Sequence, residues 1–273
     1  MLNEWRDCRL GDALILQRGY DLPHRERRSG EVPIVTSSGV TSSHDKAVVR
    51  GPGVVTGRYG TIGEVFYVAD DFWPLNTTLF VKEFKGNDPQ YVAYLLRTID
   101  YASYSGKSGV PGVNRNDLHE IPIKLPPEPE QRAIANALSE VDALISALDR
   151  LIAKKRDLKQ AAMQELLTGR RRLPGFSGEW GTERLRNVLR VRHGKSQRGV
   201  IATNGMYPIL ATGGEIGRTN EYLYAKPSVL IGRKGTIDTP QFVDTPFWTI
   251  DTLFFCEIFD GTEPKFMFYI FNH

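Results

Sequence analysis

Two short segments of the chain place an arginine between two glycines. Gly57-Arg58-Tyr59-Gly60-Thr61-Ile62 returns later as Gly232-Arg233-Lys234-Gly235-Thr236-Ile237. Glycines let a backbone approach a ligand closely, and the arginine can then reach a phosphate or the edge of a guanine. The alternative is a plain turn between two strands. The candidate DNA contacts in these segments are Arg58, Tyr59, Arg233 and Lys234.

Further candidates lie in polar turns and in a glycine-rich loop. The hydroxyl groups of Ser37, Ser38 and the matching Thr212 can bond phosphates, or they can simply stabilise turns. The loop ends in Asn114 and Arg115, which are side-chain types suited to adenine and guanine. Tyrosines can pack on a sugar or a base, although aromatic residues of β-rich domains more often lie in the core. The remaining candidates are Arg18, Tyr20, Lys107, Ser108 and Lys195.

Residue patterns for catalysis are missing from the sequence. No glycine-rich loop ends in Gly-Lys-Ser/Thr, so an ATP-binding loop is not predicted. The stretch Leu125-Pro126-Pro127-Glu128 lacks the polar and aromatic residues of an adenine methyltransferase loop. The 5 histidines show no metal-ligand spacing. We expect neither catalytic residues nor a metal site.

The candidate segments belong to an internal repeat with a single offset of 175 residues. Trp5 recurs as Trp180, and residues 33–39 recur as residues 208–214. A nearly gap-free repeat of this length indicates two copies of one domain. The repeated pairs Phe72-Trp73 and Phe247-Trp248 are assigned to the core of each copy.

The chain divides into three predicted segments of an α+β protein. Residues 1–125 carry short β-branched and aromatic runs between glycines, as expected for strands and turns. Residues 126–170 form a long helix, and residues 171–273 form a second β-rich domain. His273 corresponds to position 98 of the first copy, so we expect the second domain to be incomplete and the sequence to be a truncated product or a fragment.

The long helix follows the prolines at positions 126, 127 and 129, and no Pro or Gly interrupts it before Gly169. About 40 residues at roughly 1.5 Å each give a rod of roughly 60 Å. Its apolar residues recur at steps of three and four, which predicts a helix packed lengthwise on another helix. A helix lying on its own domain is the alternative. The pairing residues are Ile134, Leu138, Val141, Leu144, Ile145, Leu148, Leu151 and Ile152.

Composition and charge bear on the binding partners and the cellular compartment of the protein. A net charge of +3 and a pI near 8.8 permit nucleic-acid binding without requiring it. Arginine clusters such as residues 170–172 suit phosphate contacts or a solvated surface. Cys8 and Cys256 are unrelated by the repeat, which indicates a reducing compartment without a disulfide framework. No leader or membrane span is predicted, so we expect a cytoplasmic location.

Several stretches resemble the specificity subunit of type I restriction-modification systems. They are Ile121-Pro-Ile-Lys-Leu-Pro-Pro-Glu-Pro-Glu-Gln131-Arg-Ala-Ile-Ala135, the helix end at residues 158–169, residues 171–180 and both Gly-Arg-x-Gly-Thr-Ile segments. The resemblance covers essentially the whole chain. It implies two target-recognition domains, each followed by a long helix, with the helices forming an antiparallel coiled coil.

The resemblance also implies a division of labour. This chain would read double-stranded DNA as a split target, and its helix would separate the half-sites and dock methylation subunits. S-adenosylmethionine, ATP and Mg are expected in the methylation and restriction subunits, with no cofactor in this chain. One alternative is a homodimer, paired through the helix, on a palindromic target. The others are a non-functional or recombination remnant, and a detached half of a fused restriction-methylation enzyme.

Overall fold

The structure is a computed structural model that describes residues 4–105 and 112–273 and contains two compact units, Met1–Leu148 and Asp149–His273. The strands of unit 1 are β1 (Arg6–Arg9), β2 (Ile15–Arg18), β3 (Val32–Thr36), β4 (Gly39–His44), β5 (Gly53–Gly57), β6 (Val65–Val68), β7 (Trp73–Pro74), β8 (Thr78–Glu83) and β9 (Pro122–Leu125). Its α-helices are α1 (Leu10–Ala13), α2 (Pro89–Arg97) and α3 (Arg115–His119), with short 3-10 turns at His24–Glu26 and Tyr101–Tyr104. Helix α4 (Glu128–Leu166) continues into unit 2.

Two sheets enclose the core of unit 1. One has the strand order β2-β8-β5-β6, and the other has the order β4-β3-β7, in which β3 and β7 run parallel. Strands β1 and β9 form a separate antiparallel pair. Val35 of one sheet and Val55 and Phe80 of the other pack around Phe72, which is fully buried. The prediction that Phe72 lies in the core is confirmed.

Unit 2 repeats this framework. Its elements are β10 (Leu189–His193), β11 (Tyr207–Ala211), β12 (Gly214–Thr219), β13 (Ser228–Gly232), β14 (Gln241–Val243), β15 (Trp248–Thr249), β16 (Leu253–Ile258), α5 (Pro264–Phe271) and a 3-10 turn at Leu185–Asn187. The sheets have the orders β10-β16-β13-β14 and β12-β11-β15. Even the register shift between Ile34 and Val35 recurs between Ile209 and Leu210. Phe247 is fully buried, as predicted.

One apolar surface is covered in unit 1 and open in unit 2. Leu10 and Leu16 are 0% exposed, whereas their repeat equivalents Leu185 and Val191 are 47% and 44% exposed. In unit 1 these leucines share a core cluster with Tyr101, Val113 and Leu118. These three residues have no equivalents among residues 149–273.

The start of α4 is fastened to unit 1 by a buried amide. Gln131 is 1% exposed, and its Oε1 accepts a hydrogen bond from the Asp88 backbone N–H at 3.0 Å. Its Nε2 donates to Asn87 Oδ1 at 2.7 Å and to the Pro126 carbonyl oxygen at 2.9 Å. Ala135 adds an apolar contact, since it packs with Tyr91 and Leu125. The first two turns of α4 are therefore part of the core of unit 1.

Further along α4, most of the apolar stripe is exposed. Leu144 is 59% exposed, and the same holds in lesser degree for the other large apolar residues from Leu138 to Leu158. Ile134 differs, because it is half-buried against the cluster that contains Ala135. The helix has 39 residues and ends at Leu166, three residues before Gly169. Within residues 4–105 and 112–273, no helix is both long and apolar enough to cross a lipid bilayer.

We predict that Gln131→Leu loosens the attachment of α4. The substitution leaves the Asp88 N–H, the Asn87 amide and the Pro126 carbonyl without their partner, and each unsatisfied buried group costs about 1–3 kcal/mol. Amide hydrogen exchange in residues 128–135 is expected to speed up by about 30-fold or more, since each 1.4 kcal/mol is about tenfold.

The control is Gln160→Leu at an exposed position of the same helix. Equal exchange rates in the two variants would contradict a special role for the buried amide.

Candidate nucleic-acid interface

The loop after β5 holds Arg58 and Tyr59 in a fixed backbone. A side chain at Gly57 would overlap the carbonyl oxygen of Thr61, because the chain doubles back on itself. The backbone N–H groups of Arg58 and Tyr59 both donate to the Thr77 carbonyl, at 2.8 and 3.1 Å. The turn interpretation and the ligand-contact interpretation are therefore compatible, since a rigid turn presents the two side chains.

Two later segments join this loop. The backbone N–H of Val113 donates to the Arg58 carbonyl at 2.9 Å, and Tyr59 pairs with Gly112 in an isolated antiparallel bridge. Ser105 pairs with Val113 in another bridge. Residues that are about fifty positions apart in sequence thus form one surface.

Together these segments line a cavity of about 880 Å³ in unit 1. Five of the candidate residues lie on its wall: Arg18, Arg58, Tyr59, Asn114 and Arg115. Sequence reasoning missed Tyr104, Ser105 and Asp117, which also line it. Their only sequence signal is proximity to the glycine-rich loop. The lining carries three arginines and one aspartate, and Asp21, which is not part of the lining, pairs with Arg18. The wall still carries more positive than negative charge, which suits a polyanion.

The polar side chains that line the cavity differ in their hydrogen-bond partners. Arg18 donates to both carboxylate oxygens of Asp21 at 3.1 Å. Asn114 caps α3, because its Oδ1 accepts from the Asn116 backbone N–H at 3.0 Å. Asn114 therefore starts the helix that carries Arg115, and its Nδ2 group keeps two N–H donors. Arg115 is exposed at the first position of α3.

Three further candidates of unit 1 that the structure describes, Tyr20, Ser37 and Ser38, are not among the residues that line this cavity. Ser38 Oγ hydrogen-bonds Thr36 Oγ1 at 3.1 Å, which is turn chemistry. Ser37 faces Gly60, since a side chain at Gly60 would contact its hydroxyl. Tyr20 is exposed, with its ring tilted on Phe80 at 5.9 Å between centroids. Lys107 and Ser108 fall outside the described residues.

Unit 2 repeats the loop with different side chains. Arg233 N–H donates to the Thr252 carbonyl at 2.8 Å, as Arg58 does to Thr77. Thr212 faces Gly235 as Ser37 faces Gly60. Lys234 and Lys195 are exposed and replace the two tyrosines of unit 1.

A histidine joins the cavity wall to the sheet. His119 ends α3, and its Nε2 accepts a hydrogen bond from the Leu16 backbone N–H at 2.9 Å. This bond requires the neutral imidazole. Burial lowers the pKa of His119 below its usual 6.5, and the positive charges of Arg115 and Lys85 lower it further.

Other titratable groups near the core are inert. Burial raises the pKa of Tyr101 to about 12 and that of the free thiol of Cys256 to about 11. Both therefore stay protonated at neutral pH and serve in packing. In the part of the chain that the structure describes, no cluster of three His, Cys, Asp or Glu side chains could hold a metal ion.

The sequence matches the profile of a known protein family. The profile of the family described as "Type I restriction modification DNA specificity domain" matches residues 3–155, which is more than half of the chain. The chain belongs to this family. The match includes the basic cavity, the Gln131 anchor and most of α4, and it confirms the resemblance seen in the sequence.

Two curated relatives come from Methanocaldococcus jannaschii. The type I restriction enzyme MjaVIII specificity subunit is 27% identical over 134 residues, 44% of this chain and 32% of that protein. The putative type I restriction enzyme MjaX specificity subunit is 34% identical over 86 residues, 30% of this chain and 20% of that protein. The aligned part of the chain thus spans a third or less of these relatives.

Solved structures share the fold. The S subunit of a type I restriction-modification system from M. genitalium superposes with a TM-score of 0.72 at 17% identity, over 98% of this chain and 76% of that one. A chain from work on complex assembly and conformational transition of the type I R-M system gives a TM-score of 0.54 at 18% identity, over 98% and 79% of the two chains. The predicted α+β fold class is confirmed.

We predict a pH-sensitive contact between α3 and β2. Because the pKa of folded His119 lies below the unfolded value of 6.5, its stabilisation is present above that value and is lost as pH falls toward the folded pKa. Protection of the Leu16 amide against hydrogen exchange should therefore decrease on acidification.

The variant His119→Gln keeps an acceptor that does not titrate, and it should remove this pH dependence. His24→Gln, at an exposed site, should leave it unchanged. A Leu16 amide whose protection is the same at pH 7.5 and pH 5 would contradict the prediction.

Proposed function

We propose that this chain is the DNA-recognition subunit of a type I restriction-modification complex and performs no catalysis itself. The basic cavity of unit 1, where Arg18, Arg58 and Arg115 converge, carries the proposal. Guanidinium groups bind phosphates and guanine edges. Membership of the DNA specificity family supports double-stranded DNA as the ligand of this surface.

The repeated framework supports recognition of a split target. Each unit presents an arginine on the same rigid loop, Arg58 in unit 1 and Arg233 in unit 2. The 39 residues of α4 span about 58 Å at roughly 1.5 Å per residue, somewhat under two duplex turns of about 34–36 Å. The helix thereby separates two half-sites.

Helix α4 also provides a docking surface for methylation subunits. These subunits and the restriction subunit supply S-adenosylmethionine, ATP and Mg, together with the chemistry of methylation and cleavage. Assembly in the cytoplasm accords with this role.

A second candidate assembly is a homodimer on a palindromic target. The exposed stripe from Leu138 to Leu158 favours it, because apolar residues at steps of three and four pair efficiently with a second helix. Two copies related by a two-fold axis would present two complete first units.

The first test is co-expression with cognate methylation subunits, followed by sequencing of methylated adenines. We expect a target with two specific parts separated by unspecified bases. Replacing Arg58 and Arg115 by alanine should change or abolish methylation at one part only. A continuous target would contradict the two-reader arrangement, and methylation that does not need this chain would contradict the proposed function.

The second test is the mass of the purified chain by light scattering at micromolar concentration. A homodimer should dissociate in Leu148→Glu, since a carboxylate in the seam is costly to bury. Ala153→Glu adds the same charge on the opposite side of the helix and should leave the dimer intact. A wild-type monomer would rule out pairing through the stripe.

A further inference from the structure

The side chains of Arg58 and Tyr59 are in contact. The Cζ atom of Arg58 lies 4.5 Å from the centroid of the Tyr59 ring. A guanidinium group this close to an aromatic ring makes a cation–π contact, which restricts where the Arg58 side chain can lie. The planar guanidinium group carries five N–H donors for further hydrogen bonds.

Tyr59 is itself held in place. A side chain at Gly112 would collide with the Tyr59 ring, so the Gly112 backbone packs directly against it. The bridge between Tyr59 and Gly112 and the bond from Val113 N–H to the Arg58 carbonyl fix the same spot. The ring is therefore a rigid support for Arg58.

The guanidinium donors of Arg58 have no acceptor within residues 4–105 and 112–273. On the same wall, Arg18 is engaged by Asp21 at 3.1 Å, whereas Arg115 likewise donates to none of the described residues. In unit 2, Arg233 donates to the Asp251 carbonyl at 3.3 Å. Arg58 is half-buried, with its donors on the wall of the cavity.

The repeat changes the support and keeps the arginine. Lys234 occupies the position of Tyr59, and it offers no aromatic face. The two loops therefore share their backbone conformation, but only the first has an arginine against an aromatic ring. This contrast points to a property that belongs to the first unit alone.

We propose that Arg58 reads a guanine in the major groove and that Tyr59 is its positioning residue. The inference rests on the proposed function and names the base that one reader selects. A fixed guanidinium with free in-plane donors matches guanine O6 and N7. A phosphate contact, by contrast, needs only a positive charge within reach.

The test is selection of targets by the full-length chain from a duplex library with a randomised segment, followed by sequencing. Arg58→Lys keeps the charge but not the planar fork. It should reduce the preference for guanine at one position by about 5- to 100-fold and leave other positions unchanged. A uniform loss across positions, or an unchanged motif, would overturn the guanine assignment.

Two substitutions test the support. Tyr59→Leu removes the ring without adding charge and should weaken the same guanine preference. Tyr59→Phe keeps the ring and should preserve it. Tyr59 is exposed, so we expect both variants to fold, and thermal unfolding measures whether they do. Equal motifs for Tyr59→Leu and wild type would overturn the positioning role.

Arg25→Ala is the charge control, at an exposed residue outside the cavity. It should weaken binding at all positions alike or not at all. If wild-type protein enriches no sequence, both the proposed function and this inference fail. If it enriches a motif that Arg58→Lys leaves unchanged, only this inference fails.

Discussion

The attachment of α4 to unit 1 depends on one buried amide. Gln131 satisfies a donor and two acceptors that would otherwise be unpaired in the core, from the Asp88 backbone, the Asn87 side chain and the Pro126 carbonyl. Only a side chain with both donor and acceptor does this in one place. The direction in which the helix leaves the unit is thereby tied to α2, which Asp88 caps. The start of α4 is thereby fixed in unit 1 by polar contacts as well as by the apolar packing of Ala135.

The two units share their backbone hydrogen bonds and differ in their exposed side chains. Backbone contacts recur at the 175-residue offset, as in the bonds to the Thr77 and Thr252 carbonyls. The exposed side chains on this framework differ, since Tyr59 is replaced by Lys234 and Tyr20 by Lys195. A framework maintained by main-chain hydrogen bonds and glycine clearance tolerates such exchanges, because the exchanged side chains are exposed and carry little of the packing energy.

Sequence reasoning succeeded where a pattern is local or periodic. The repeat, the long helix and the burial of Phe72 all follow from such patterns, as does the strand-like character of the segments around Val55. The cavity does not, because it depends on the pairing of Ser105 with Val113 and of Tyr59 with Gly112. The engagement of Arg18 by Asp21, the cap made by Asn114 and the packing of Ile134 on its own unit depend on three-dimensional neighbours in the same way.

The segment that completes the core of unit 1 also lines its basic cavity. Tyr101, Val113 and Leu118 share a core cluster with Leu10 and Leu16, while Ser105 and Arg115 of the same segment line the cavity. Burial on one side thus fixes the orientation of polar groups on the other. His119 adds a directional bond to the Leu16 backbone, so α3 cannot rotate without losing it. The shape of the cavity in unit 1 is therefore a consequence of how its core is covered.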